Sequence, residues 1–305
     1  MTRPVTLPWL PVDRLTPSQA VDALVEALRG GLDPEACPAR LGVPVPAGEL
    51  LVMPAATAEY AGVKIAGVAP GNARRGLPRI TGSYLLLDGA TLLPLALLDG
   101  AALTTLRTPA VTALALDRLA APEAAHLVLF GAGPQAYGHL DALLAVRPLR
   151  RVTVVARRAE AGAALVGYAA SLGLPAAAGS AAQVAEADLV VCCTTATEPL
   201  FDGAAVPAHA AVAAVGSHSP TAREVDAALV RRASCYVEAR AVARREAGDL
   251  VLAEPDWERV ANLAELVAGT AEVRTDRPRF FKSVGMAWQD LAVAAAIHRG
   301  QDRTR

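Results

Sequence analysis
The stretch from His126 to Arg158 constrains the fold more than any other part of the chain. It opens with His126-Leu127-Val128-Leu129-Phe130, an apolar run of strand length. Gly131-Ala132-Gly133-Pro134-Gln135-Ala136 follows at once, then an alanine- and leucine-rich run, then a second apolar run from Arg151 to Ala156. Strand, glycine turn, helix and strand within about 30 residues describe one βαβ unit. In such a unit the first glycine permits a tight turn, the second lets backbone approach a pyrophosphate, and the final small residue keeps the helix close to the sheet. Pro134 fits the first helical turn, where its missing N–H is no loss. The helix N-terminus then offers free N–H groups and a positive dipole end to an anion. A glycine turn alone is a common structural corner. Set between a strand and a helix, this one predicts a dinucleotide site made by Gly131, Ala132, Gly133, Pro134 and Gln135.

The end of the second strand bears on which dinucleotide. A carboxylate there bonds the ribose 2′-OH of NAD. This chain has Ala156, Arg157 and Arg158 instead. Nothing acidic repels a 2′-phosphate, and two guanidiniums suit it by forked, charge-assisted bonds. The expectation is NADP(H) in preference to NAD(H); the alternative is that the arginines are solvated surface charges.

At 305 residues the chain is long enough for two domains, and 53% hydrophobic residues suit a large core. A net charge of −1 without like-charged runs argues against nucleic acid or an anionic membrane as partner. The N-terminus lacks the pattern of a secretory leader, and no uninterrupted apolar stretch reaches the ~18 residues of a membrane span. Cys37, Cys192, Cys193 and Cys235 form no CxxC pair and read as small core residues of a reduced, cytoplasmic protein. His126, His139, His209 and His298 form no ligand-spaced set, so no metal is expected.

Along the chain, Thr16 to Leu28 has helical period, with Gly30-Gly31 as its stop. A proline-bearing loop through Pro34, Pro38, Pro44 and Pro46 carries Arg40. Leu50–Pro54, Ala61–Val68, Arg79–Asp88 and Leu92–Leu98 read as closely spaced strands of an antiparallel or mixed sheet. A helix through Thr105 to Leu119 carries Arg107. From His126 strands and helices alternate, with strands at Leu189–Cys193, Ala211–Val215 and Ser234–Glu238, as in a doubly wound parallel sheet. Ligands of such sheets bind at the carboxyl ends of the strands. Here those ends are the glycine turn, Thr194-Thr195 and the loop Gly216 to Pro220. Phe280 to Gly285 reads as a turn, and the apolar helix Trp288–His298 is expected to return to the first domain. The fold class is therefore α/β. A Rossmann dinucleotide-binding domain over 119–285 is joined to a discontinuous α+β substrate and dimerisation domain over 1–118 and 286–305.

Several ordered motifs resemble the ornithine cyclodeaminase/mu-crystallin family along most of the chain. They are MPA at Met53, Lys64 in its strand, LLPLALLDGAALTTLRTPAVTALA around Arg107, and GAGPQAYGH from Gly131. Further on are TTATEPLF from Thr194, VGSHSPTAREVD from Val215, EAGDL from Glu246 and FKSVGMAWQDLA from Phe281. The resemblance implies a substrate-carboxylate cluster of Arg40, Lys64 and Arg107 with Met53 beside it. It implies cofactor contacts from Thr81, Arg107, Thr194, Thr195, Val215, Ser217 and Ser283, and it implies a homodimer formed through the first domain's sheet.

The cyclodeaminase branch of that family carries an Asp where this chain has His218, and an acidic residue where it has Ala156-Arg157-Arg158. Both departures point to the branch of NADPH-using imine reductases. Lys64 and His218 are the candidate proton donors: burial beside arginines lowers a lysine's pKa, and histidine titrates near neutrality. His218 would otherwise merely cap a turn, and Lys64 and Arg107 would otherwise be surface cations. The expected activity is NADPH-dependent reduction of a cyclic imino acid to the amino acid. Alternatives are an NAD-dependent cyclodeaminase or amino-acid dehydrogenase, and a catalytically silent, crystallin-like NADPH binder.

Overall fold
The structure, a computed structural model, describes residues 6–302. The chain divides into two compact units, Met1–Arg107 with Met286–Arg305, and Thr108–Gly285.

In the first unit the elements are β1 (Trp9–Leu10), α1 (Pro17–Arg29), β2 (Leu41–Val45), β3 (Gly48–Ala56), β4 (Tyr60–Val68), β5 (Ile80–Asp88), β6 (Pro94–Asp99) and the start of α2 (Gly100–Leu119). Thr16 caps α1 in a reciprocal capping box with Gln19, and Pro17 fills the first turn. The strands form one sheet in the order β1-β6-β5-β4-β3-β2, antiparallel except where β1 meets β6.

Alternation gives this sheet two different faces. Leu51, Met53, Lys64, Ala66, Tyr84, Leu86, Ala96 and Leu98 are buried on the inner face. The outer face has a transverse row Trp9–Leu97–Leu85–Val63–Pro54 and a second, Ser83–Ile65–Val52–Leu41. Trp9, Leu41, Val43, Leu50 and Ile65 on that face are exposed.

The second unit begins within α2. It contains β7 (His126–Phe130), α3 (Pro134–Val146), β8 (Arg151–Val155), α4 (Ala159–Ser171), β9 (Ala176–Ala178), β10 (Leu189–Cys192), β11 (Ala211–Ala214) and α5 (Ala227–Arg232). β12 (Ser234–Val237), α6 (Arg240–Glu246), α7 (Gly248–Val251), β13 (Ala261–Asn262), α8 (Leu263–Ala268) and β14 (Arg279–Lys282) complete it. All its strands are parallel, in the order β13-β12-β14-β11-β10-β7-β8-β9. The chain runs outward from β7 through β8 to β9, then resumes at β10 on the other side of β7. The carboxyl end of β7 is thus a topological switch point, where such sheets bind ligands. The last helix, α9 (Ala287–Asp302), belongs to the first unit, where it packs on α1 and on β3, β4 and β5. Among the described residues no helix is long and apolar enough to cross a membrane.

Two expectations need correction. The proline loop contains a strand: β2 pairs antiparallel with β3 at the sheet's edge. Pro44 is tolerated there because an edge strand has one side without ladder bonds. The segment read as a turn from Phe280 begins as β14, inserted between β11 and β12. Its cations at both ends hid it, since Arg279 and Lys282 are buried with partners rather than solvated. The first unit's leading segment ends at Arg107 and the second unit begins at Thr108, both within α2. The later turns of α2 are bound into the second unit: Thr112 hydrogen-bonds His139, Arg147 pairs with Asp117, and Arg279 donates to the Leu119 carbonyl.

Candidate active site
In the first unit, Met53, Lys64 and Tyr84 form one transverse row on the inner face, set by the register of β3, β4 and β5. The Lys64 ammonium donates to Asp290 Oδ2 at 2.7 Å and to Thr104 Oγ1 at 3.1 Å. Arg107 Nε donates to Asp290 Oδ1 at 3.2 Å, and its Nη1 to Gln289 Oε1 at 2.9 Å. One carboxylate from the first turn of α9 therefore bridges two cations, all three groups buried. Burial pushes the Lys64 pKa down from 10.5 to about 8; Asp290 opposes it, and Arg107 and the half-buried Arg40 lower it further. The expected direction holds, but burial outweighs the arginines, and Asp290 was not foreseen as the counterweight. Tyr84 is fully buried in the same row, and only a glycine at position 62 leaves room for its hydroxyl, 2.2 Å from where a Cβ would lie.

In the second unit the glycine turn follows β7 at the switch point. Gly131 takes φ +111°, and an added Cβ would lie 2.8 Å from the Cys193 carbonyl, so glycine is required twice over. Gly133 is the N-cap of α3, makes no side-chain cap bond, and faces open space where a Cβ would stand. Pro134 is the first helical residue and Ala136 is buried. An uncapped helix N-terminus before open space fits a pyrophosphate. Ala156 follows β8 half-buried; Arg157 and Arg158 are exposed, with no ion pair among the described residues.

Other anticipated residues fall less simply. Thr81 pairs with Gly67 and is exposed; alternation puts it on the sheet face opposite Lys64 and Met53, away from the cluster. Ser283 is buried and donates to Glu238, a carboxylate that also accepts the Val284 and Gly285 N–H groups. Ser217 is buried and donates to the Ala222 carbonyl within its own loop. Val215 precedes it, half-buried, and His218 follows it, exposed. Thr194 is bound to Glu224, whereas Thr195 is exposed. Asp226 caps α5 through the Leu229 N–H. Of the four cysteines only Cys192 and Cys235 are buried.

Sequence reasoning missed Asp290 and Gln289, and in the second unit Glu224, Asp249, Lys282 and Glu238. One compositional signal would have found part of this. The chain has twenty-seven arginines and only two lysines, Lys64 and Lys282. Both are buried, each in an ion pair with a distant aspartate. A chain that uses arginine at every exposed cationic position keeps lysine only where a compact, titratable charge is needed. The first unit also holds a cavity of about 670 Å³ between α1, the β3–β4 connection and α9, but neither Lys64 nor Arg107 lines it.

The sequence pattern of the ornithine cyclodeaminase/mu-crystallin family matches residues 15–303. The Delta(1)-pyrroline-2-carboxylate reductase 2 of Burkholderia ambifaria is 37% identical, over 88% of this chain and 86% of that protein. A Delta(1)-pyrroline-2-carboxylate/Delta(1)-piperideine-2-carboxylate reductase of Azospirillum brasilense is 39% identical, over 84% of this chain and 82% of its own. The solved structure of Thermococcus litoralis Delta(1)-pyrroline-2-carboxylate reductase with NADH and L-proline superposes with a TM-score of 0.91 at 27% identity, covering 98% of both chains.

Proposed function
The chain belongs to the ornithine cyclodeaminase/mu-crystallin family, and from that membership we propose that it is an NADPH-dependent reductase of cyclic imino acids. Its substrates are Δ1-pyrroline-2-carboxylate or Δ1-piperideine-2-carboxylate, and its products the corresponding cyclic amino acids. The observation that carries this reading is the buried Lys64–Asp290–Arg107 cluster, which offers a cation for a carboxylate and a second cation able to give up a proton.

Arg40 and Arg107 bind the substrate carboxylate. Arg107 spends Nε on Asp290 and Nη1 on Gln289, which leaves Nη2 for the incoming oxygen. Asp290 and Gln289 fix the guanidinium plane, so binding costs little side-chain ordering. Met53 packs beside the site. With a pKa of about 8, Lys64 is mostly charged at neutral pH yet acidic enough to protonate an imine. A protonated imine is the better electrophile, and proton delivery to nitrogen completes the amine. His218 is the second candidate donor. A bound reduced nicotinamide supplies the hydride to the imine carbon.

The second unit supplies the nucleotide site through the Gly131–Gln135 turn and the strand ends carrying Thr194, Thr195, Val215 and Ser217. The preference for NADPH over NADH rests on Arg157 and Arg158, exposed beside Ala156 with no carboxylate there. The chain works as a homodimer, which the apolar outer face of the first sheet supports, since exposed apolar rows of this extent are unusual on a monomer. Four cysteines without a CxxC pair among them suit a cytoplasmic setting.

The test is NADPH oxidation with each imino acid, followed spectrophotometrically, with NADH as comparison. Turnover is expected with one or both cyclic substrates. A protein that binds NADPH yet turns over no imino acid, and no keto acid with ammonia, would refute the reading in favour of a silent binder. NADH used as well as NADPH would remove the cofactor assignment alone.

A further inference from the structure
The second lysine stands in the other unit, in a chain of buried charges that the reaction above does not use. Lys282 ends β14 and lies 2.8 Å from Asp249 Oδ2. Asp249 Oδ1 accepts the Glu224 and Val225 N–H groups, at 2.6 and 3.0 Å. The Glu224 carboxylate then accepts three bonds, each 2.7 Å: Thr194 N–H and Thr194 Oγ1 on Oε1, and Gly216 N–H on Oε2. Glu224, Asp249 and Lys282 are all buried.

These contacts have a common location. Thr194 lies just beyond the end of β10, Gly216 just beyond β11, and Lys282 at the end of β14. The strands are neighbours in the order β14-β11-β10-β7, and the glycine turn follows β7. One carboxylate ties together the turns after two adjacent strands, at the edge where a doubly wound sheet binds its ligand. Close approach is built in: a Cβ on Gly216 would lie 2.1 Å from the Thr194 carbonyl and 2.5 Å from Glu224 Oε1.

We propose that Glu224 is a positioning residue for nucleotide binding, locking the turn after β10 to the turn after β11, with Asp249 and Lys282 fixing its place and charge. This rests on the reading that these strand ends receive the nucleotide. Both oxygens are needed. An amide has one acceptor oxygen, so glutamine at this position must turn its NH₂ toward an N–H on one of the two turns. Aspartate keeps both oxygens but is one methylene short of spanning them. Burial raises the Glu224 pKa, and Lys282 with the bonds from Thr194 and Gly216 offsets only part of that rise.

A purely structural role would lower stability and nothing else, so the test compares binding at matched stability. NADPH affinity is measured by fluorescence for the native protein and for Glu224→Gln, Glu224→Asp, Gly216→Ala and Asp226→Ala. Asp226→Ala weakens the same unit through the α5 cap without touching either turn. Steady-state KM values are taken for NADPH and for the imino acid, and hydrogen exchange is followed over 193–197 and 215–219. Glu224→Gln and Gly216→Ala are expected to weaken NADPH binding about tenfold or more, the loss of one charge-assisted bond. The imino-acid KM stays within about twofold, and both turns exchange faster together. Glu224→Asp recovers part of the affinity, and Asp226→Ala binds as the native protein does. Glu224→Gln folding and binding NADPH within about twofold of native, or Asp226→Ala losing as much affinity, overturns the proposal. Should Glu224→Gln fail to fold, Gly216→Ala decides by the same criteria. A native protein that binds no nicotinamide nucleotide would instead bring down the functional reading.

Discussion
Replacing Asp290 with asparagine should convert Lys64 from a charged to a neutral side chain at neutral pH. The carboxylate oxygen lies 2.7 Å from the ammonium, and the pair is buried. At an effective dielectric near 20, one unit charge at that distance is worth about 6 kcal/mol, or roughly four pKa units at ~1.4 kcal/mol each. The Thr104 hydroxyl and local relaxation absorb part of this, so a fall of at least about two units is the working expectation. Lys64 would move from about 8 to near 6 or below. At pH 7 the charged fraction then drops from roughly nine-tenths to about a tenth or less.

The assay is direct because the chain has only two lysines. Lysine labelled at Cε gives two side-chain resonances, and Lys64→Met assigns them. Titration reads the Lys64 pKa, and the alkaline limb of kcat/KM should move with it, because a neutral amine cannot protonate the imine. Circular dichroism checks that the variant folds, since an orphaned buried cation costs about 3–5 kcal/mol. A Lys64 pKa within half a unit of native, or an alkaline limb that stays near pH 8 while the resonance shifts, would refute the reasoning. Linkage gives a second sign. The folded pKa of about 8 lies below the ordinary 10.5, so the unfolded chain binds more protons between those values. Native stability should therefore rise through that window by up to about 3 kcal/mol relative to Lys64→Met.

Three further outcomes are expected. Burial holds His139 neutral with its pKa near 4, so native stability should fall as pH drops from 6.5 to 4, by up to about 3 kcal/mol, and His139→Gln should fall less over that window in acid-unfolding curves. Arg157→Ala combined with Arg158→Ala should raise the NADPH KM about tenfold or more and leave the NADH KM within about twofold; equal effects on both would remove the 2′-phosphate assignment. Ile65→Asp, on the exposed face of the first sheet, should shift the mass measured by light scattering from dimer to monomer at micromolar concentration without loss of helix signal; an unchanged mass would place the interface elsewhere.

Sequence alone made the nucleotide half legible. Strand, glycine turn, proline-led helix and strand are consecutive, so each local preference reports on its neighbour, and β7, α3 and β8 follow the expected order. The antiparallel strands from Gly48 to Asp99 were readable for the same reason, through alternation and turn residues. β2 and β14 were not: prolines masked one, and flanking cations with buried partners masked the other.

The pairing of charges was decided only in three dimensions. Lys64 and Arg107 meet Asp290 because α9 returns to lie across β3 and β4, and nothing within a few residues of any of the three announces it. Glu224 reaches Thr194 and Gly216 because parallel strands bring remote turns to one edge. Hydrophobic period specifies which face of an element is buried; which polar groups then share a dry site depends on how whole elements pack. The proton affinity of Lys64 belongs to that packing, since burial and a distant carboxylate set it and lysine's own chemistry does not.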